Sequence, residues 1–302
     1  MRDYKLLENL CEIHAPSGDE GALTHFIRNY VETNKSSWKK VPQMYCGQGF
    51  QDTIVLVFGS PRVAIYSHID SVGYMVGYEN NLIPIGSPRA EEGTLLVGKD
   101  SLGEILCTLN SDETYTFERG IERGTTLTYK PNFTESENHI ISNYLDNRAG
   151  VWTALKIAET LENGAIAFST YEEHGGGSAQ FIQRFLYKKY HITKALIADI
   201  TWVTEGILAG KGCAISMRDS GIPRKSYVNR IIEIAKHSQI PFQLEVESAG
   251  GSDGNQLQQM PFSVDWCFVG APEQNVHSPN EKIHKDDLDS MLNLYSVLMK
   301  EL

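Results

Sequence analysis

DNRAGVWTALKIAETLENGAIAFSTYEEHGGGSAQFIQRFLYKKYHITKALIADI, residues 146–200, decides the fold. Ala149 to Leu161 repeats apolar residues at three- and four-residue intervals, which predicts a helix. Ala165 to Tyr171 reads as a strand, Ser178 to Tyr190 as a second helix and Ala195 to Ile200 as a second strand. Strands that alternate with helices imply an α/β class and a mixed, mainly parallel sheet covered on both faces, a three-layer α/β/α arrangement.

The rhythm continues outward on both sides. Tyr227 to Ser238 predicts a helix, Phe242 to Val246 and Val264 to Val269 strands, and Asp286 to Leu302 a closing amphipathic helix. Upstream, Thr53 to Phe58 and Val63 to Ser67 read as neighbouring strands, the second delivering His68 at its carboxyl end. Leu6, Leu7, Leu10 and Ile13 mark an opening helix; after the break at Ala15-Pro16-Ser17-Gly18, Ser17 with Glu20 predicts a capping box for a helix from Gly21 to Tyr30. Residues 72–143 differ: short candidate strands separated by Gly, Asn, Asp and Pro, with no helical period. The expectation is one α/β/α domain from residues 1–71 and 144–302, with 72–143 inserted as a β-barrel-like module.

Composition narrows the function. Of 302 residues, 38 are acidic and 27 basic, a net charge of −11 without a basic run, which argues against nucleic acid as a partner. No stretch approaches the ~20 consecutive apolar residues of a membrane helix, so no membrane association is expected. The opening residues lack the apolar region of a signal peptide, and five scattered cysteines suit a reducing compartment; both imply a cytoplasmic protein.

Ligands of such sheets bind at the carboxyl ends of strands. His68 and Asp70 follow one predicted strand, Glu172 and Glu173 another; Asp199 ends a third, His277 follows the strand ending at Val269, and Asp146 opens a helix. Singly, each has a plain structural reading: Asp146 as a helix N-terminal acid, the paired glutamates as a solvated face. His174 reads as a non-ligand, and Gly175 to Gly177 lack the phosphate-loop pattern. Convergence of the set points instead to a two-metal hydrolase, in which His68, Asp146, Glu173, Asp199 and His277 supply the ligands. Glu172 is left as the general base and Asp70 as the carboxylate that orients His68.

The segments His68-Ile69-Asp70-Ser71-Val72-Gly73, Leu145-Asp146-Asn147-Arg148-Ala149-Gly150, Glu172-Glu173, Asp199, Gly210-Lys211-Gly212, Gly250-Gly251-Ser252-Asp253 and His277-Ser278-Pro279 resemble, in order and over nearly the whole chain, the tetrahedral (TET-type) dimetal aminopeptidases of metallopeptidase family forty-two. That family includes glutamyl and leucyl aminopeptidases. The resemblance implies that Asp146 bridges two divalent ions, zinc foremost with cobalt or manganese as alternatives. It further implies that His68 and Asp199 complete one site, that Glu173 and His277 complete the other, and that Glu172 is the base. A cis peptide between Asp146 and Asn147, peptide substrates, and a homo-oligomer built through the inserted module are implied as well. The sequence departs from the family in its short insert, in His174-Gly175-Gly176-Gly177-Ser178 where Val-Gly-Leu-Arg-Gly is usual, and in Cys213 where proline is common.

Related dizinc carboxypeptidases, dipeptidases and deacylases share a similar ligand order but place their extra domain between the fourth and fifth ligands. Here the strand-rich insert lies between His68 and Asp146, which favours the aminopeptidase. An endoglucanase using Glu172 and Glu173 would leave both histidines without a role, and a non-catalytic metal scaffold gives no reason for Glu172. A preference for acidic N-terminal residues would require a base in the pocket, for which Arg148, Lys211, Arg218 and Arg224 are the candidates.

Overall fold

The computed structural model describes residues 3–302. An eleven-stranded mixed sheet forms the body. At its centre Gly164–Ser169, Ala64–His68, Lys194–Trp202 and Asp265–Gln274 run parallel in that spatial order. Antiparallel strands extend it on either side: Gln51–Phe58 and Gln43–Gly47 at one margin, Glu281–His284, His139–Ser142 and Thr134–Glu135 at the other. Cys213–Arg218 and Phe242–Val246 branch from the last central strand.

Alternation along the buried strands builds two cores. Ile65, Ile166, Leu196 and Cys267 face the helices Lys5–Cys11, Gly21–Asn34, Leu145–Ala158, Lys225–Ser238 and Lys285–Glu301. Tyr66, Ala167, Ile197 and Phe268 face Ser178–Tyr190 and Asp253–Gln258. This is the expected α/β/α sandwich. Of the seven α-helices among the described residues, only those after Ser252 and His284 have a side-chain cap. A cap contributes about 1 kcal/mol, whereas each fully buried Leu, Ile or Phe contributes about 1.5–3 kcal/mol. Packing therefore holds these helices.

Ser17 and Glu20 do not form the expected capping box. The Ser17 hydroxyl donates to Asp70 at 2.6 Å, and Glu20 accepts the backbone N–H of Tyr171 at 3.3 Å, so both side chains reach across to the loops that carry the site instead.

A second, antiparallel sheet of six strands runs from Gly73 to Tyr129, in the order Leu82–Ile85, Gly73–Val76, Thr126–Tyr129, Leu95–Asp100, Gly103–Leu109, Tyr115–Thr116. Its two end strands meet through the Asn81–Thr114 bridge and a 2.7 Å bond from Leu82 N–H to the Glu113 carbonyl, which closes the sheet on itself. Residues 134–142, expected within the insert, instead form the outer strands of the main sheet. Ile140 there packs into the main core, and this burial draws the segment across. Among the described residues no helix is long and apolar enough to cross a membrane.

Candidate active site

Parallel strands deliver their carboxyl ends to one edge, and the sequence-predicted residues meet there. His68 closes its strand, Glu172 and Glu173 follow Gly164–Ser169, Asp199 lies in the strand Lys194–Trp202, and His277 follows Asp265–Gln274. Asp146 leaves helical geometry at the start of Leu145–Ala158, and its peptide bond to Asn147 is cis, as the family resemblance implies. Tyr144, Tyr171 and His277 have φ of +62°, +63° and +65°. Such backbone costs about 1–3 kcal/mol per residue and persists where surrounding structure enforces it. Gly150 shows how closely helix and strand approach: a Cβ there would lie 2.2 Å from the Ala198 carbonyl. Asn147 fills the same junction, donating to Ala198 at 2.9 Å and to Ser67 at 3.2 Å.

Asp146 sits between the two imidazoles. Its Oδ1 is 3.2 Å from His68 Nε2 and its Oδ2 is 3.3 Å from His277 Nε2. Asp199 Oδ1 lies 3.6 Å from His68 Nε2, and Glu173 Oε2 lies 3.1 Å from His277 Nε2. Two groups able to hold a cation result, His68–Asp146–Asp199 and Asp146–Glu173–His277, sharing Asp146. Glu172 approaches His68 Nε2 to 4.0 Å. All five expected ligands and the expected base line one cavity of about 250 Å³.

Both imidazoles are held from behind. His68 Nδ1 lies 3.2 Å from the Asp70 carbonyl, and His277 Nδ1 lies 2.9 Å from the Ser87 hydroxyl and 3.2 Å from its carbonyl. An N–H at Nδ1 directed at a carbonyl leaves Nε2 as the lone-pair nitrogen. The Asp70 carboxylate accepts the N–H of Glu172 at 3.1 Å and of Glu173 at 3.0 Å besides the Ser17 hydroxyl, and lies 3.5 Å from His68 Nδ1. It therefore fixes the two glutamates at least as directly as it orients His68.

Glu281, fully buried, accepts the N–H of Asp146 at 3.1 Å and of His277 at 2.9 Å and so ties the two backbones together. Its only signal in the sequence is an acid four residues after His277. Asp253, which accepts the Ser169 hydroxyl, belongs in sequence to the Gly250-Gly251-Ser252-Asp253 motif. His174 takes no part in the ligand groups; its Nδ1 accepts the Gly86 N–H at 3.0 Å.

Burial and the Asp199 and Glu173 charges push the Glu172 carboxyl well above its usual range. Burial and the Asp146 charge raise Glu173 to about 7. Burial opposes charge on His277, but its bonds to Asp146 and Glu173 outweigh this and raise it to about 11. The acids thus draw positive charge onto every nitrogen within reach. Glu173 Oε1 is buried without a hydrogen-bond partner. Carboxylate oxygens facing two imidazole Nε2 atoms, with one orphaned oxygen among them, form a donor set that divalent cations satisfy in place of the imidazole protons. The residues fit a metal.

Two of the four bases considered for an acidic substrate, Arg148 and Arg224, are engaged elsewhere. Arg148 is fully buried and donates to the carbonyls of Leu10 at 3.2 Å and Ile69 at 2.5 Å, pinning the opening helix beneath the His68 loop. Arg224 pairs with Asp265, away from the cavity.

A histidine and carboxylate centre at the carboxyl edge of a three-layer α/β/α fold defines a hydrolase of the metallopeptidase kind. The chain matches the M42 glutamyl aminopeptidase family over residues 106–294. Among solved structures it is similar to an aminopeptidase from the archaeon Desulfurococcus kamchatkensis, 22% identical with a TM-score of 0.85, covering 99% of this chain and 94% of that one. It is also similar to the Pyrococcus horikoshii TET1 peptidase, which can assemble into a tetrahedron or a large octahedral shell (18% identity, TM-score 0.80, 99% of both chains). A structure named as an endoglucanase from Thermotoga maritima shares the fold (19% identity, TM-score 0.76, 97% of this chain and 96% of that one). The chain belongs to the M42 aminopeptidase family and is a peptidase.

Proposed function

We propose that this chain removes single N-terminal residues from peptides with the help of two divalent ions. The observation that carries the reading is Asp146, whose two oxygens face two separate imidazoles. His68 and Asp199 would hold one ion, Glu173 and His277 the other, with Asp146 common to both; the mixed nitrogen and oxygen set suits zinc first and cobalt or manganese next. When bound, the ions supply Lewis acidity and lower the pKa of water toward ~7.

The chain's own groups do the rest. Glu172 takes the proton of the attacking water on its carboxylate and returns it to the departing amine nitrogen as the C–N bond breaks. Desolvation and neighbouring acids favour its protonated form, which strengthens it as the acceptor in the first transfer. The cavity of about 250 Å³ falls below the ~300–1,000 Å³ usual for small-molecule sites, a size that suits one residue rather than a long chain. The adjacent pair Glu172 and Glu173 is committed to separate tasks, which argues against a glycosidase.

The closed module at 73–129 exposes Met75 beside its cross-strand partner Ile83, and Leu106 as well, an apolar surface suited to a second copy of the chain. We assign it the role of homo-oligomer contact, in keeping with the assemblies of the Pyrococcus relative. All five cysteines are free thiols, in keeping with a cytoplasmic setting. The test is a pair of substrates, an aminoacyl amide and its N-acetyl derivative, with and without chelator. Cleavage of the free form alone, abolished by chelation and restored by zinc, is the expected result. Equal cleavage of both forms overturns the aminopeptidase reading in favour of a deacylase or endopeptidase.

A further inference from the structure

Beside the catalytic cavity lies a smaller one of about 50 Å³, and the two share Ile200, Trp202, Gly250 and Gly251 as walls. Phe268 adds a further apolar surface, and Asp219, Glu245 and Glu247 supply carboxylates. Glu245 is only 4% exposed. Its carboxylate accepts the Thr201 hydroxyl, is faced as well by the Ser216 hydroxyl of the neighbouring strand, and lines the cavity. Among the described residues no lysine or arginine forms an ion pair with these three acids. Arg218 donates to the Asp219 carbonyl at 3.3 Å and its charge acts on the Asp219 carboxylate, while Arg89 stacks on Trp202 at 5.7 Å.

We infer that this side cavity receives the side chain of the substrate's N-terminal residue and selects a basic one, lysine foremost. The inference rests on the aminopeptidase reading. At ~10–15 Å³ per water-sized group, the cavity admits roughly three to five such groups, which matches a lysine stem and ammonium better than the longer arginine. The stem lies along Ile200, Trp202 and Phe268, while the ammonium meets Glu245 and its two neighbours. Burial raises the Glu245 and Asp219 carboxyls, a cost that an incoming cation relieves. A glutamyl side chain would bring a fourth carboxylate into the same space, so the specificity in the family's name is not the one this pocket favours.

Lysine and norleucine differ at the end of the stem, where one carries an ammonium and the other a methyl group. The decisive experiment compares lysyl, norleucyl, leucyl, glutamyl and alanyl aminomethylcoumarin amides on the zinc-loaded full chain. It is accompanied by calorimetric titration of free lysine and free norleucine. Lysyl amide is expected to exceed norleucyl at least ten-fold in kcat/KM, with glutamyl lowest, and lysine to bind at least ten-fold more tightly than norleucine. Glu245→Gln and, at a less buried position, Glu247→Gln should each pull the lysyl-to-norleucyl ratio toward one. A ratio near one in the parent enzyme, or glutamyl as the best substrate, overturns the inference and leaves the aminopeptidase standing. If no amide is cleaved, it is the aminopeptidase reading that fails; equal binding of lysine and norleucine in that case rejects the pocket as well.

Discussion

The two sheets handle charge in opposite ways. In the main body, Asp70, Asp146, Arg148, Asp253, Glu273 and Glu281 are buried, and most are held by backbone groups, hydroxyls or imidazoles rather than by opposite charges. In the closed module, ion pairs such as Lys99–Glu104 are solvent-exposed, and the interior is Leu96, Ile105, Leu109 and Leu127. Natural folds avoid buried uncompensated charge because it costs several kcal/mol per ion. In the body, the largest gathering of such groups is at the edge where the candidate site lies. The module resembles an ordinary small β core and needs no such arrangement.

Substitutions should break this contrast in graded fashion. Asp146→Ala removes the group common to both cation sites. Metal content by mass spectrometry should fall to background and hydrolysis by at least ~10³-fold, because Lewis acidity and water activation go together. Retention of two ions per chain would contradict the shared-ligand assignment. Glu172→Gln leaves the donor set intact and should lower kcat by ~10²–10⁴-fold with metal still bound; a smaller loss would place the base elsewhere. Glu281→Ala frees the Asp146 and His277 backbones and should weaken metal binding ~10–100-fold, the range seen when supports behind a ligand are lost. Competition against a chromogenic chelator measures this directly, independently of turnover.

A pH titration sharpens the comparison further. Glu20, beneath the Tyr171 loop, has its carboxyl raised to about 7 by burial. The folded state therefore holds this proton between its ordinary value near 4.5 and about 7, while the unfolded chain has released it, so stability falls as pH rises through that window. Glu20→Gln keeps an oxygen for the Tyr171 N–H and should flatten the decline in melting temperature over the same range. In the module, Arg119→Ala breaks the Asp100 pair, 2.6 Å long and partly exposed, and should leave kcat/KM and metal affinity unchanged. A loss of metal there would show that the two regions are not separable as described.

The sequence reveals the body well where pattern and chemistry coincide. The central strands carry uninterrupted apolar runs, and histidines and acids at their carboxyl ends stand out against them. Glu281, Glu245 and Asp219 escape notice because a lone acid in a loop or at a strand position looks like solvent-facing charge until the strand pairing is known. Ser17 and Glu20 have the spacing of a local cap, yet long-range partners claim them, a competition that no local pattern contains. The module ends earlier than its punctuation predicts for a similar reason: Thr134–Glu135 and His139–Ser142 are as short and punctuated as the strands before them, and only the pairing of His139–Ser142 with Glu281–His284, and of Thr134–Glu135 with it in turn, assigns them to the body.

The segment Gly86 to Arg89 leaves the module's second strand and runs directly over the catalytic edge. Gly86 donates to His174, Ser87 contacts the His277 ring, and Arg89 N–H donates to the His277 carbonyl at 2.9 Å. The module is thus no detachable accessory. An engineer who exchanged it for another barrel, or deleted it to make a minimal enzyme, would also remove the clamp on the His277 imidazole. Any graft that preserves activity has to carry these four residues with the body, which moves the practical seam between the two parts into the module itself.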